Sequence, residues 1–233
     1  MAYTPTKPIH GICTCPVVAK ALDIYIHDLF IKHWNGAQAD TQYQGEGSSH
    51  ELASLLITET VVHSLYHKLP IFMLFLDARS AFDTVVRKFL VRSLFITGMD
   101  GESLHYVNNR LVNRHTYCDW DRELVGPVID EHGLEQGGPN SSDLYKVYNN
   151  ELLKPVQSLD QGVDIGNDVV VSAVGQADDI ALLSNNIFKL FNILYLALQY
   201  CLKYQVDLCA DKTKLLVMTK NNNQLFIPYN PSL

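Results

Sequence analysis

Two runs rich in β-branched and aliphatic residues, 169–174 and 180–183, flank the short segment Gly175-Gln176-Ala177-Asp178-Asp179. Such runs, separated by a small polar stretch, predict a β-hairpin. This hairpin would carry two adjacent carboxylates at its tip. Side chains alternate between the faces of a strand, so Asp178 and Asp179 should point different ways, with only one aimed squarely into a shared site. Alone, the pair also suits an ordinary turn in which Asp bonds its own backbone. A second, distant carboxylate is needed to make it a site.

Residues 71–76 lead to one. IFMLFL is a continuous apolar run of strand length that ends at Asp77. An ionised Asp is rarely buried without a partner, and the end of a central strand is a place where it can meet a cation. Magnesium suits that position because it takes oxygen ligands, usually one or two carboxylates together with substrate phosphates and retained waters. Two such ions about 4 Å apart can activate an attacking hydroxyl and stabilise a leaving group. Between these strings, Gly133, Gly137 and Gly138 mark a loop whose backbone can approach a ligand, and Pro139 opens a helix-like pattern. After a long apolar helix, Lys212 and Lys214 precede a short strand-like run.

Taken in order, these strings resemble the motifs of reverse transcriptases, most closely those of non-LTR, LINE-like retrotransposons. Phe75-Leu76-Asp77 with Ala81-Phe82-Asp83 is similar to the first block of that family, and Gln136-Gly137-Gly138-Pro139-Asn140-Ser141 to the second. Ala177-Asp178-Asp179 is similar to the third, and Lys212-Thr213-Lys214 to the fourth. Lys7-Pro8-Ile9 and Thr41-Gln42-Tyr43 extend the likeness more weakly over nearly the whole chain.

The resemblance implies an RNA-directed DNA polymerase that adds deoxynucleotides to a primer 3′-hydroxyl. RNA template, DNA primer and deoxynucleoside triphosphates would be its partners, and two Mg²⁺ ions its cofactors. Asp77 and Asp178 would be the main metal ligands, with Asp179 a weaker or indirect contributor. Phe82 would support the incoming sugar and reject a 2′-hydroxyl by clash. Gln136 and Gly137 would lie near the nascent base pair. Lys212, with Lys214 as alternate, would face the departing pyrophosphate. Lys7 would contact the triphosphate, keeping the charge of the family's arginine without its bidentate fork.

The departures from the family pattern are also specific. Gln176 stands where an aromatic usually precedes Ala-Asp-Asp, Glu135 where a basic residue is common, Ser142 where a proline is usual, and Asp143 adds an acid to the helix start. Lys plus Arg number 18 against 25 Asp plus Glu, a formal charge of −7 with a pI near 5.6. Nucleic-acid affinity rests largely on neutralising phosphates, so this balance is poorly suited to holding a template. Arg79, Arg87, Lys88 and Arg92 cluster after the first aspartate, and read more simply as a solvated helix face than as a template track. A non-catalytic palm-fold relic or RNA-binding module is the alternative reading.

The expected fold is α+β: a polymerase palm with an antiparallel sheet and helices on one face, the other face open for nucleic acid, plus partial helical fingers. Strands are predicted at 71–76, 169–174, 180–184 and 215–219. Helices are predicted near 17–33, 48–68, 84–97, 101–114, 141–153 and 187–204. Residues 1–70 would form the partial fingers, 71–220 the palm, and 221–233 a tail leading toward an absent thumb. Thumb and endonuclease regions are expected in a longer parent polyprotein. The five cysteines lack zinc-ligand spacing, which points to free thiols in a reducing, intracellular compartment. The most apolar helix falls short of a membrane span.

Overall fold

The centre of the fold is the apolar run already picked out, which forms β1 (Ile71–Asp77). In the computed structural model, which describes residues 16–34, 39, 41–43, 49–112, 114–121, 123–219 and 225–228, β1 is preceded by α1 (Val17–Trp34) and α2 (His50–Tyr66). It is followed by α3 (Arg87–Ile96), α4 (Gly101–Leu111), the ribbon β2 (Arg114–Trp120) and β3 (Glu123–Asp130), and α5 (Ser141–Ser158). The chain continues through β4 (Val163–Asp164), β5 (Val170–Val171), β6 (Ala173–Gln176), β7 (Asp179–Ser184), α6 (Ile187–Tyr204), β8 (Lys214–Met218) and β9 (Leu225–Pro228). Lys7, Cys13 and Cys15 lie outside the described residues, as does most of the stretch read as a tail.

Five strands form one antiparallel sheet in the order β6-β7-β1-β8-β9. The two-residue side-chain period of a strand divides the sheet's apolar residues between two cores. Leu74 and Leu76 of β1 join Ile180 and Leu182 of β7 in the larger core, which also holds the apolar faces of α3, α5 and α6. Ile71 and Met73 join Ala181 and Leu183 on the opposite face. There Ala53, Leu56, Ile57 and Val61 of α2 pack against them. Helices α3, α5 and α6 therefore lie on one face of the sheet as expected, but the other face is partly covered by α2 rather than open along its length.

The structure moves several predicted boundaries, each for an identifiable reason. The expected strand at 169–174 is two strands, because β5 leaves the main sheet to pair with β4 through Val163↔Val171. Gly162 permits that departure, since a Cβ there would lie 2.3 Å from the Val171 carbonyl oxygen. β6 instead runs on to Gln176, leaving a loop of only Ala177 and Asp178 before β7. The helix expected at 101–114 stops at Leu111 and gives way to the β2–β3 ribbon, which no sequence signal predicted. Tyr117, Leu124, Val125, Val128 and Ile129 of this ribbon are all exposed, so its apolar residues do not mark a buried face. α5 continues past Leu153 to Ser158 and accommodates Pro155 within its last turns. α6 has the predicted limits, capped by Asn186 and closed by Gln205 in the left-handed region.

α3 begins at Arg87, not at residue 84, and the first residue of that helix is not part of a solvated cationic face. Arg87 is only 7% exposed and donates to the carbonyls of Gly133, Leu111 and His132 at 2.8, 2.7 and 2.6 Å. It pins the α4 C-terminus and the 132–133 segment to the start of α3. Lys88 and Arg92 are exposed, with Lys88 over the Phe89 ring at 5.1 Å. Arg79 is also exposed and pairs loosely with Asp207. Arg87→Met is expected to leave several buried carbonyls unsatisfied at a cost of about 3 kcal/mol, at ~1–3 kcal/mol per orphaned group. Thermal unfolding should then begin roughly 6–12 °C lower for a chain of this size. A melting temperature equal to that of the unsubstituted protein would contradict the pinning role.

Candidate active site

The pairing of β1 with β7 decides where the carboxylates meet. Its register runs from Phe72↔Ser184 to Asp77↔Asp179, so the last residue of one strand lies opposite the first of the other. Side-chain alternation puts both on the sheet face that carries α2. Asp178 occupies the two-residue loop just before β7, after Ala177 at φ +55°. Three aspartates from two distant segments are thus gathered at one end of the sheet.

Lys212 reaches the same place through backbone stitching. The Asp77 carbonyl accepts from the Cys209 amide at 2.8 Å, and the Arg79 amide donates to the Asp207 carbonyl at 2.7 Å. These bonds hold the 207–213 turn beside the end of β1. Lys212 Nζ then lies 3.3 Å from each oxygen of the Asp77 carboxylate. Lys214, the alternate, begins β8 opposite Phe75 and does not line the cleft.

A cleft of about 500 Å³ opens at this point, lined by Asp77, Asp178, Phe82, Gln136, Gly137 and Lys212 together with Ser80, Asp83 and Ser141. Asp179 is not among its lining residues and sits beside it. Phe82 belongs to a turn segment between β1 and α3, not to an amphipathic helix. Its ring stacks on Tyr145 of α5, with centroids 4.6 Å apart and planes 20° from parallel. The Leu134 amide donates to the Phe82 carbonyl and the Gly133 amide to the Val85 carbonyl, both at 2.8 Å. That close approach requires a glycine, because a Cβ on Gly133 would lie 2.8 Å from the Asp83 carbonyl oxygen and its φ is +80°. One step further on, Gln136 Nε2 donates to Asp83 Oδ1 at 3.3 Å.

The electrostatics follow from this crowding. Partial burial, and then the neighbouring charges of Asp178 and Asp77, push the Asp179 carboxyl above its ordinary value, while Lys212 and His50 oppose the shift. Hard carboxylate oxygens under mutual repulsion are a donor set suited to a divalent cation. Among the described residues, no three Asp, Glu, His or Cys side chains are grouped to hold a metal ion by themselves.

The acids that depart from the family pattern are already neutralised. Glu135 is 15% exposed and lies 3.2 Å from Arg114 and 3.7 Å from Arg110. Asp143 accepts from His27 at 2.6 Å and also pairs with Lys146. Glu135 borders the same cleft, where the paired arginines lessen the charge it presents. Sequence reasoning missed Tyr145 behind Phe82 and Asn149 behind the Asp178 loop. The signal was there in part, since the two are four residues apart on a predicted helix and so share a face. His50, at the start of α2, was also missed, because nothing local links it to Asp179.

The profile of the family described as reverse transcriptase (RNA-dependent DNA polymerase) matches residues 7–226, nearly the entire chain. The chain belongs to the reverse transcriptase family. This reverse transcriptase domain is similar over part of its length to two retrovirus-related Pol polyproteins from the type-1 retrotransposable element R2 of Popillia japonica. One match is 24% identical over 110 residues and the other 32% identical over 118, each covering just under half of the chain. The matched stretches amount to 18% and 16% of those relatives, so the domain spans under a fifth of their length. In fold, it is similar to telomerase of Candida tropicalis in complex with a TWJ fragment of telomeric RNA. That likeness has a TM-score of 0.65 at 10% identity and covers 85% of this chain and 34% of the other. Telomerase of Candida albicans is similar at TM-score 0.56 and 11% identity, with 89% and 35% covered.

The raised pKa of Asp179 has a definite sign. A carboxyl whose folded pKa exceeds its unfolded one weakens the fold as pH rises from the unfolded value through the folded value, and the penalty persists above both. Asp179→Asn should therefore raise the melting temperature at neutral pH in the presence of a chelator. The gain should vanish below the ordinary value of 3.8. Addition of Mg²⁺ should shrink the difference between the two proteins at neutral pH. An unchanged or lowered melting temperature for the variant in chelator would contradict the repulsion.

Proposed function

We propose that this chain is the catalytic part of an RNA-directed DNA polymerase, adding deoxynucleotides to a primer 3′-hydroxyl on an RNA template. The single observation that carries the reading is the convergence of Asp77, Asp178, Phe82 and Lys212 on one cleft from segments far apart in sequence. Asp77 and Asp178 would hold two Mg²⁺ ions, with Asp179 as a weaker contributor. Bound there, the ions would stabilise the charge that develops as the primer hydroxyl attacks the α-phosphate.

The other residues act by position and charge. Phe82 offers a flat apolar floor made rigid by the stacked Tyr145, on which a deoxyribose can rest and against which a 2′-hydroxyl would clash. Gln136, tethered to Asp83, and Gly137, with φ +94°, form the opposite lip, where a base pair can approach the backbone. Lys212 can serve two tasks, being largely exposed and, among the described residues, held by Asp77 at 3.3 Å. It balances Asp77 while the cleft is empty of substrate, and it can turn its ammonium toward a departing pyrophosphate, stabilising the leaving group and giving it a proton. Lys7 would add a charge to the triphosphate. In this reading residues 1–70 serve as partial fingers, 71–220 as the palm, and the protein works inside the cell. The pairing of Glu135 with Arg114 and Arg110, and of Asp143 with Lys146, supports turnover over the relic reading, since it lessens the charge those acids present to phosphate.

Primer extension on an RNA template with Mg²⁺ tests the assignment. Asp77→Asn and Asp178→Asn should each lower the rate by about a thousandfold or more, as expected for ~4 kcal/mol at about 1.4 kcal/mol per decade. Equal incorporation by all three proteins would refute it. Phe82→Val should lower the preference for deoxynucleotides over ribonucleotides by roughly tenfold, within the ~1–3 kcal/mol typical of a small steric change in a pocket. Competition between dNTP and rNTP in single-nucleotide extension measures that ratio, and an unaltered ratio would remove Phe82 from sugar selection.

A further inference from the structure

Directly behind the Asp178 loop lies a buried carboxamide that the proposed chemistry does not use. Asn149 of α5 is 2% exposed, and its Nδ2 donates to the Ala177 carbonyl at 2.5 Å. A carbonyl can only accept, so the amino end of the side chain must face the loop. The other end is held as well. Asn149 Oδ1 accepts from the Tyr200 hydroxyl at 3.4 Å, and that hydroxyl also approaches the Tyr148 carbonyl at 3.2 Å.

The loop needs such a restraint. It has only two residues between the paired Gln176 and Asp179, and Ala177 adopts φ +55° without being glycine. An L-residue in that region is disfavoured relative to a right-handed conformation, because its Cβ crowds the following carbonyl oxygen. Behind the loop lies a small cavity bordered by Tyr145, Asn149, Asp178, Tyr200 and Cys201, so its packing against α5 is not continuous there. Rotation of the peptide between Ala177 and Asp178 would carry the Asp178 carboxylate away from Asp77.

We infer that Asn149 is a positioning residue: its carboxamide captures the strained Ala177 carbonyl and so holds Asp178 in place against Asp77. Tyr145 lies one turn earlier on the same face of α5 and supports Phe82 from beneath. A single helix therefore sets both the carboxylate loop and the floor of the cleft, and a shift of α5 would displace the two together. The fixing of the loop stands on the geometry alone, and its effect on nucleotide transfer rests on the polymerase reading.

Amide exchange measured by NMR, alongside primer extension, tests the inference. In the unsubstituted protein, the Asn149 side-chain amide protons should exchange at least about tenfold more slowly than those of the exposed Asn192. Comparable rates would overturn the inference whether or not any variant folds. In Asn149→Ala, the backbone amides of the closing pair Gln176 and Asp179 should exchange at least about tenfold faster, while those of residues 72–76 keep their protection. Extension by this variant should show kcat reduced about tenfold or more, with KM for the deoxynucleotide little changed. Adding Ala177→Gly removes the cost of the positive φ and should recover a large part of both losses, a rescue that a general packing role for Asn149 would not produce. Unchanged loop exchange in Asn149→Ala, or no recovery in the double variant, would overturn the inference. Absence of extension by the unsubstituted protein would overturn the polymerase reading instead, and the exchange comparison would still decide the role of Asn149.

Discussion

The register between β1 and β7 is the constraint on which the rest of the structure depends. Because side chains alternate with a period of two, a slip of one residue would move every apolar side chain of β1 to the wrong core. Leu74 and Leu76 would leave the helices, and Ile71 and Met73 would leave α2. Both faces of the strand are buried, so no slipped pairing is tolerated. The same register sets Asp77 opposite Asp179, and the site is therefore determined by core packing that has no chemistry of its own.

That arrangement concentrates negative charge, and the fold manages it at several levels. Lys212 is brought over Asp77 by bonds between the backbone of residues 77–79 and the 207–213 turn. Asp179 is left partly desolvated beside two other carboxylates, with its pKa pushed upward. Repulsion of this kind weakens the folded state in isolation and strengthens the attraction for a cation. Strain of a second kind sits one residue earlier, where Ala177 holds a positive φ under the hold of Asn149. Electrostatic and conformational costs thus gather at one loop, a pattern common where geometry serves chemistry.

Several residues changed meaning once their neighbours were known. Arg87 looked like part of a basic helix face, but its guanidinium is spent on three interior carbonyls. Glu135 and Asp143 looked like charges set against nucleic acid, yet Glu135 is paired with Arg114 and Arg110 from other elements, and Asp143 with Lys146 and the His27 ring. Partners such as Arg114 and His27 lie too far away along the chain for any local reading to find. Net charge is therefore a weak guide to the local field of this cleft, since much of the acid is compensated internally.

The sequence by itself determined the class of the fold and pointed to several residues that line the candidate cleft. Continuous apolar runs specified β1, β7 and α6 nearly to the residue, because burial leaves a periodic record in residue choice. The four motifs, in order, named Asp77, Phe82, Gln136, Asp178 and Lys212. Where side chains face solvent the record is blank, so the β2–β3 ribbon went unseen. The split of the 169–174 run was also hidden, because it depends on a close backbone approach at Gly162. Only the tertiary structure decided that α2 covers part of the second face and that Tyr145 and Asn149 lie behind the cleft on α5. Local sequence encodes which side chains want burial, but which distant carbonyl or ring each one meets is set by the packing of the whole chain.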